Sequence, residues 1–114
     1  MAATPKELRT YENADGKRPF DEWLYRLRDR ATKARIVARL NRVALGNLGD
    51  SKSVGEGVSE LRLDFGKGYR VYFAQEGEEI VLLLCGGDKG SQAKDIRMAK
   101  TYWEDYKKRK KYGR

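Results

Sequence analysis

The chain has 114 residues, enough for one domain with a modest core. Its 25 Lys and Arg against 17 Asp and Glu give a formal charge of +8, with apolar and charged residues nearly matched at 39% and 37%. A single cysteine, Cys85, and the absence of histidine exclude an internal disulfide, a multi-cysteine or histidine-built metal site, and any His-based catalytic triad.

Residues 7–12, ELRTYE, read as a short strand, and 13–17, NADGK, as a turn. Pro19 suits the first turn of a helix, where its missing N–H costs nothing. Phe20, Trp23, Leu24 and Leu27 follow at i, i+3, i+4 and i+7, one apolar face. A second helix is predicted from about Thr32 to Leu45, ending at Gly46, with Ile36, Leu40 and Val43 as its buried stripe. Arg35, Arg39 and Arg42 fall on a different face, either a solvated surface or a grip for an anionic ligand. Residues 46–57, GNLGDSKSVGEG, read as a long irregular loop. Two strand pairs follow. A last amphipathic helix is predicted from about Ser91 to Lys107, with Ile96, Ala99, Trp103 and Tyr106 inward. The run from Lys107 to Lys111 then begins a basic, mobile, solvated tail reaching Arg114. No apolar run reaches membrane-spanning length and no signal-peptide core is present, so a reduced, cytoplasmic protein with no membrane partner is expected.

Strand register places the charges. A loop of Gly66, Lys67 and Gly68 would pair Phe65 with Tyr69, Leu63 with Val71 and Leu61 with Phe73, giving one apolar face. The other face would hold Asp64 opposite Arg70 and Arg62 opposite Tyr72. A turn at Gly77-Glu78 would set Val71 against Leu84, Phe73 against Leu82 and Cys85 against Arg70. The helices would then cover Leu61, Leu63, Val71, Phe73, Leu82 and Leu84. The strand Ile80–Cys85 is apolar on both sides and reads as interior.

That register gathers Arg62, Arg70, Lys67 and Lys89 on one polar surface beside Tyr72. Arg binds phosphate as a fork, Lys as a point charge, and an aromatic ring stacks bases. With the basic excess, the pattern favours nucleic acid over an anionic membrane or an acidic protein. Attack of a ribose 2′-oxygen on its own phosphate needs alignment, proton transfer and charge stabilisation. Arg70 and Arg62 suit the last task, because Arg does not give up its proton. Lys89, among other cations, suits proton exchange, with Asp88 a weaker base. No cofactor or metal is called for. Cys85 reads as a small core residue.

Five segments together resemble a known family: Phe20-x-x-Trp23-Leu24, Gly57–Arg62, Gly68–Phe73, Leu82–Lys89 and Ala99-x-x-Tyr102-Trp103. From about Leu8 to Tyr106 the chain resembles the RelE/ParE superfamily of bacterial toxins, in its HigB-like group of addiction-module killer proteins. The resemblance implies an α+β fold of order β-α-α-β-β-β-α, with an antiparallel sheet packed against helices. It implies the toxin of a type II toxin-antitoxin module, held by a cognate helix-turn-helix antitoxin. It also implies a metal-independent endoribonuclease that inhibits translation by cleaving mRNA on the ribosome. Arg70 matches the phosphate-stabilising arginine of that family, and Arg62 and Lys89 match basic positions around it. Arg35, Arg39, Arg42 and the tail would grip RNA, with Lys67 and Tyr72 nearer the cut. Some relatives place a histidine or a terminal tyrosine in the site; here Tyr102 and Tyr106 are available, Tyr106 first as core. Members of the same superfamily that poison DNA gyrase give one alternative, and an inactive module that only binds a partner is the other.

Overall fold

A computed structural model describes residues 4–111. Its strands are β1 (Glu7–Thr10), β2 (Ser51–Gly55), β3 (Val58–Leu63), β4 (Tyr69–Glu76) and β5 (Ile80–Gly87). Its helices are α1 (Pro19–Arg26), α2 (Arg30–Ala44) and α3 (Gln92–Lys111), with a short 3-10 turn at Lys89–Ser91 before α3. The strands form one sheet in the order β1-β5-β4-β3-β2. Every pairing is antiparallel except β1 with β5, so the class is α+β with a mostly antiparallel sheet. Among the described residues no helix is long and apolar enough to cross a membrane.

The helices start where local chemistry lets them. Pro19 opens α1, Asp21 and Glu22 sit in its first turn and Arg26 in its last, each complementing the helix dipole. Asp29 caps α2: its carboxylate accepts from the backbone N–H of Ala31 (3.2 Å) and from the hydroxyl of Thr32 (2.8 Å). Asp29→Ala is expected to lower unfolding free energy by about 1 kcal/mol in a urea titration, the usual worth of such a cap.

Helices cover both faces of the sheet, not one. On the first face Phe20 of α1 and Ile36, Leu40 and Val43 of α2 pack on Leu61, Leu63, Val71, Phe73, Val81 and Leu83. On the second, Ala99 and Trp103 of α3 pack on Val58, Tyr72, Ala74, Leu82, Leu84 and Cys85. The expected single apolar face thus held Leu82 and Leu84 on the wrong side. The cause is the turn after β4, which takes three residues, 77–79, instead of two: Glu76 faces Ile80 and Ala74 faces Leu82, one residue out of the expected register. A β-bulge between Tyr72 and Phe73 adds a further step that pairs Tyr72 with Cys85. A shift of one residue exchanges the faces of a strand.

The β3–β4 pairing also differs from expectation. Leu63 faces Tyr69, Leu61 faces Val71, Arg62 faces Arg70 and Glu60 faces Tyr72. The connecting loop therefore runs from Asp64 to Gly68. A slip of two residues keeps every side chain on its expected face but changes its neighbour, so Arg70 faces Arg62 instead of Asp64 and takes the diagonal Glu60 as its ion-pair partner. The segment 46–57, read as loop, contains the edge strand β2. It is held to β3 by backbone pairing such as Ser51 with Leu61 and Ser53 with Ser59. The element order is accordingly β-α-α-β-β-β-β-α, one strand longer than expected.

Helix α3 runs through Lys111, past the predicted end near Lys107. The basic run at its end is helical because it is tied down. Arg109 pairs with Asp105 and donates to the backbone oxygen of Glu12, and Lys110 pairs with Glu76. Cations in a last turn also suit the helix dipole. Residues 112–114 of the predicted tail lie outside the described residues.

Candidate functional site

Because Arg62 and Arg70 are direct cross-strand partners, two guanidinium groups emerge side by side from β3 and β4 on the α3 face. Like charges placed opposite each other are destabilising unless acids intervene. Here they do. Arg62 Nε lies 3.6 Å from Asp50 Oδ1, and Arg70 Nε lies 3.6 Å from Glu60 Oε2. Arg62, Arg70, Lys89, Asp50 and Asp64 together line a small cleft of about 230 Å³. The three residues singled out for catalysis from sequence are therefore brought together. They meet two carboxylates, Asp50 and Asp64, that the sequence reading did not assign to the site.

The three cations are not equivalent. Arg62 is 41% exposed at its side chain and Lys89 lies on the surface, whereas the Arg70 side chain is only 9% exposed. Arg70 Nη1 donates to the carbonyl oxygens of Gly68 (3.0 Å) and Tyr69 (3.2 Å). Its counter-ion Glu60 is fully buried and also accepts from Gln92 Nε2 at 2.5 Å and from the Tyr72 hydroxyl at 3.4 Å. Glu60 thus joins β3, β4 and the first residue of α3. The alternating pattern of β3 gave the only signal for this: Glu60 shares a face with Val58 and Arg62.

Two further assignments need correction. Tyr72 has no exposed surface, so it is no platform for a base. Burial, with Glu60 as the next cause, pushes its hydroxyl pKa well up, and the phenol stays neutral in the core. Arg39 is buried as well: its guanidinium donates to the backbone oxygens of Asn47 and Leu48 and packs over Gly49. It staples the turn after α2 rather than facing a ligand. Gly49 has φ +59, and a side chain there would strike the guanidinium.

The remaining residues stay at the surface. Arg35 lies over the Phe65 ring at 3.9 Å, which places it against the β3–β4 loop. Lys67 is at the tip of that loop, whose carbonyl accepts from the Lys89 backbone N–H at 3.5 Å. The Lys89 stem packs over Gly68, where φ is +75 and a Cβ would come within 2.7 Å of it. Arg42 is exposed farther along α2. Asp88 uses its carboxylate to cap the 3-10 turn, accepting from Gly90 N–H at 2.8 Å. Tyr106 packs in the α3-side core and donates to Glu76 at 2.8 Å, and Tyr102 stacks on Tyr11 at 4.9 Å.

Cys85 is buried, and desolvation followed by the charge of Asp95 raises its thiol to about 12. An acid whose ionised form is so disfavoured presents almost no thiolate at pH 8. A chromogenic disulfide reagent at pH 8 is expected to leave Cys85 unmodified in the folded chain and to titrate one thiol in 6 M guanidinium. Rapid modification of the native protein would contradict the burial.

Comparison with known proteins gives two matches. The sequence profile of the phage derived protein Gp49-like family (DUF891) matches residues 22–111. A protein of Haemophilus influenzae described as uncharacterized is 53% identical over 81 residues, which span 71% of this chain and 82% of that one. No solved structure matches.

Proposed function

We propose, for a chain that belongs to the phage derived protein Gp49-like family and so to the RelE/HigB-type toxins of toxin-antitoxin modules, that it is a ribosome-dependent, metal-independent mRNA endonuclease. The family carries the antitoxin partner with it; a helix-turn-helix antitoxin, the ribosome and the message belong to the proposal. One observation supports the reading above the others: the cross-strand pair Arg62 and Arg70 meets Lys89 at one cleft.

In this reading Arg62 and Lys89 contact the scissile phosphate. Arg70 works from behind, as a positioning residue that fixes the end of β4 and adds its charge to the field. Asp64 is exposed and has no ion pair among the described residues. It accepts the proton of the ribose 2′-hydroxyl as the 2′-oxygen bonds to phosphorus. The bond from phosphorus to the 5′-oxygen breaks, and Lys89 returns a proton to that oxygen. The products are a 2′,3′-cyclic phosphate and a 5′-hydroxyl end. Guanidinium and ammonium groups fixed around the cleft stabilise the charge that grows on the phosphorane. Arg35, Arg42, Lys67 and the basic end of α3 bind ribosomal RNA by counterion release, so binding weakens as salt rises.

The test is to add purified chain to ribosomes programmed with a defined message and to map the new ends. Cuts carrying a 5′-hydroxyl are the expected result. An intact message in the presence of folded chain would overturn the reading, and loss of gyrase supercoiling in the same preparation would move the target to DNA topology.

A further inference from the structure

A larger cavity than the cleft lies elsewhere, about 550 Å³ in volume, between α1, the end of β5 and the first turns of α3. That is within the range of about 300–1,000 Å³ seen for small-molecule sites. Trp23 comes from α1, and Met98 and Tyr102 come from α3. The floor is bare backbone at Gly86 and Gly87. A side chain at Gly86 would run into the Trp23 ring, and one at Gly87 would run into the Asp95 carboxylate. Asp95 lines the cavity, is nine-tenths buried, and accepts from the Ser91 hydroxyl at 2.5 Å. Lys17 and Lys94 supply charge at the cavity and have no ion pair among the described residues, while Arg26 is loosely paired with Glu22 at 3.7 Å.

Three kinds of group therefore converge: aromatic and thioether surface, one buried carboxylate, and surface ammonium groups. A simple anion would gain nothing from the rings and would be repelled by Asp95. A purely apolar ligand would leave that carboxylate facing hydrocarbon, which is costly. A nucleotide answers all three. Its base stacks, an exocyclic amino group donates to the carboxylate, and its phosphate meets lysine.

We propose that this cavity binds one nucleotide, with preference for a base that carries an exocyclic amino group. The inference rests on the endonuclease reading for its setting. Asp88 lines the cavity and the next residue, Lys89, lines the cleft with Arg62. An RNA strand crossing at Asp88 and Lys89 places one phosphate in the cleft and seats the neighbouring base in the cavity. The cavity is then the place where the message is read, apart from the place where it is cut.

Titration calorimetry with GMP, AMP, CMP and UMP, and with a 2′-O-methyl tetranucleotide that cannot be cleaved, tests this on the full chain. The expected result is saturable binding, at least 5-fold tighter for GMP, AMP and CMP than for UMP. The tetranucleotide should bind at least 10-fold tighter than any mononucleotide. Met98 and Lys94 are exposed, so Met98→Trp, which fills the cavity, and Lys94→Ala leave the fold intact. Each is expected to weaken binding 10-fold or more with the melting temperature unchanged. Asp95→Asn should erase the preference over UMP. Absence of saturable binding, or Met98→Trp binding like wild type, overturns the proposal whatever the cleavage assay gives. A mononucleotide bound as tightly as the tetranucleotide overturns the message-reading role. Saturable binding lost in Met98→Trp, in a chain that cuts no message, would refute the endonuclease reading and uphold the cavity.

Discussion

Glu60→Ala is expected to lower the free energy of unfolding by about 3–5 kcal/mol, read from the shift in urea midpoint at constant slope. The reason is the company Glu60 keeps. It is fully buried, it is the counter-ion of Arg70, and it accepts from Gln92 and from Tyr72. Removing it leaves a guanidinium nine-tenths buried with no opposite charge, and leaves the Tyr72 hydroxyl unpaired. Domains of this size are stable by only about 5–15 kcal/mol, so the variant should be close to unfolding at 37 °C. Replacing both partners, as Glu60→Leu with Arg70→Met, should recover the share due to the stranded guanidinium, because a buried ion pair contributes little beyond what apolar packing offers, while Tyr72 and Gln92 still lack their acceptor. A loss under about 1 kcal/mol for Glu60→Ala would mean that the pair is not a structural unit. The same logic governs how an inactive Arg70→Ala variant is interpreted: it strands Glu60, so lost activity there reports folding as much as chemistry.

Arg62→Ala and Lys89→Ala separate the two. Both side chains lie at the surface of the cleft, so the urea midpoint should move by no more than about 0.5 kcal/mol in either variant. Each is expected to slow single-turnover cleavage by about 10²–10³, the usual loss when one fixed donor to a developing negative charge is removed. The loss should fall on kcat with little change in KM, because the contact tightens in the transition state. Lys67→Ala, at the loop tip, should instead weaken binding and flatten its salt dependence. An Arg62→Ala variant that cleaves within 2-fold of wild type would place the scissile phosphate elsewhere.

The helices were legible in the sequence because each carries one clear period. Phe20, Trp23, Leu24 and Leu27 fix α1, and Ile36, Leu40 and Val43 fix the buried side of α2. The grouping of Arg62, Arg70 and Lys89 was legible too, since strand alternation sets faces even when neighbours are wrong. That same alternation could not reveal the two-residue slip between β3 and β4, for both registers bury Leu61, Leu63, Val71 and Phe73. Nor could it reveal the three-residue turn after β4 or the bulge at Tyr72. In Ile80–Cys85 every residue is apolar, so either face fits the pattern and only the packing of α3 decides. Strand β2 escaped because Ser51–Gly55 has no apolar alternation and is held through its backbone. Tyr72 and Arg39 were misjudged for a shared reason. A polar tip on a long side chain says nothing about which residues later close over it, and α3 and the turn after α2 did so.

The parallel pairing of β1 with β5 joins Glu7 to Ile80 and Thr10 to Leu83, stretches 73 residues apart along the chain. Lys89, which completes the cleft, follows β5 directly, and Gln92, which holds Glu60, follows Lys89. A nascent chain still lacking these residues has its first strand unpaired and its arginines without their third companion. Assembly of the hazardous surface is thereby postponed until Gln92 and the residues before it have left the ribosome that makes them.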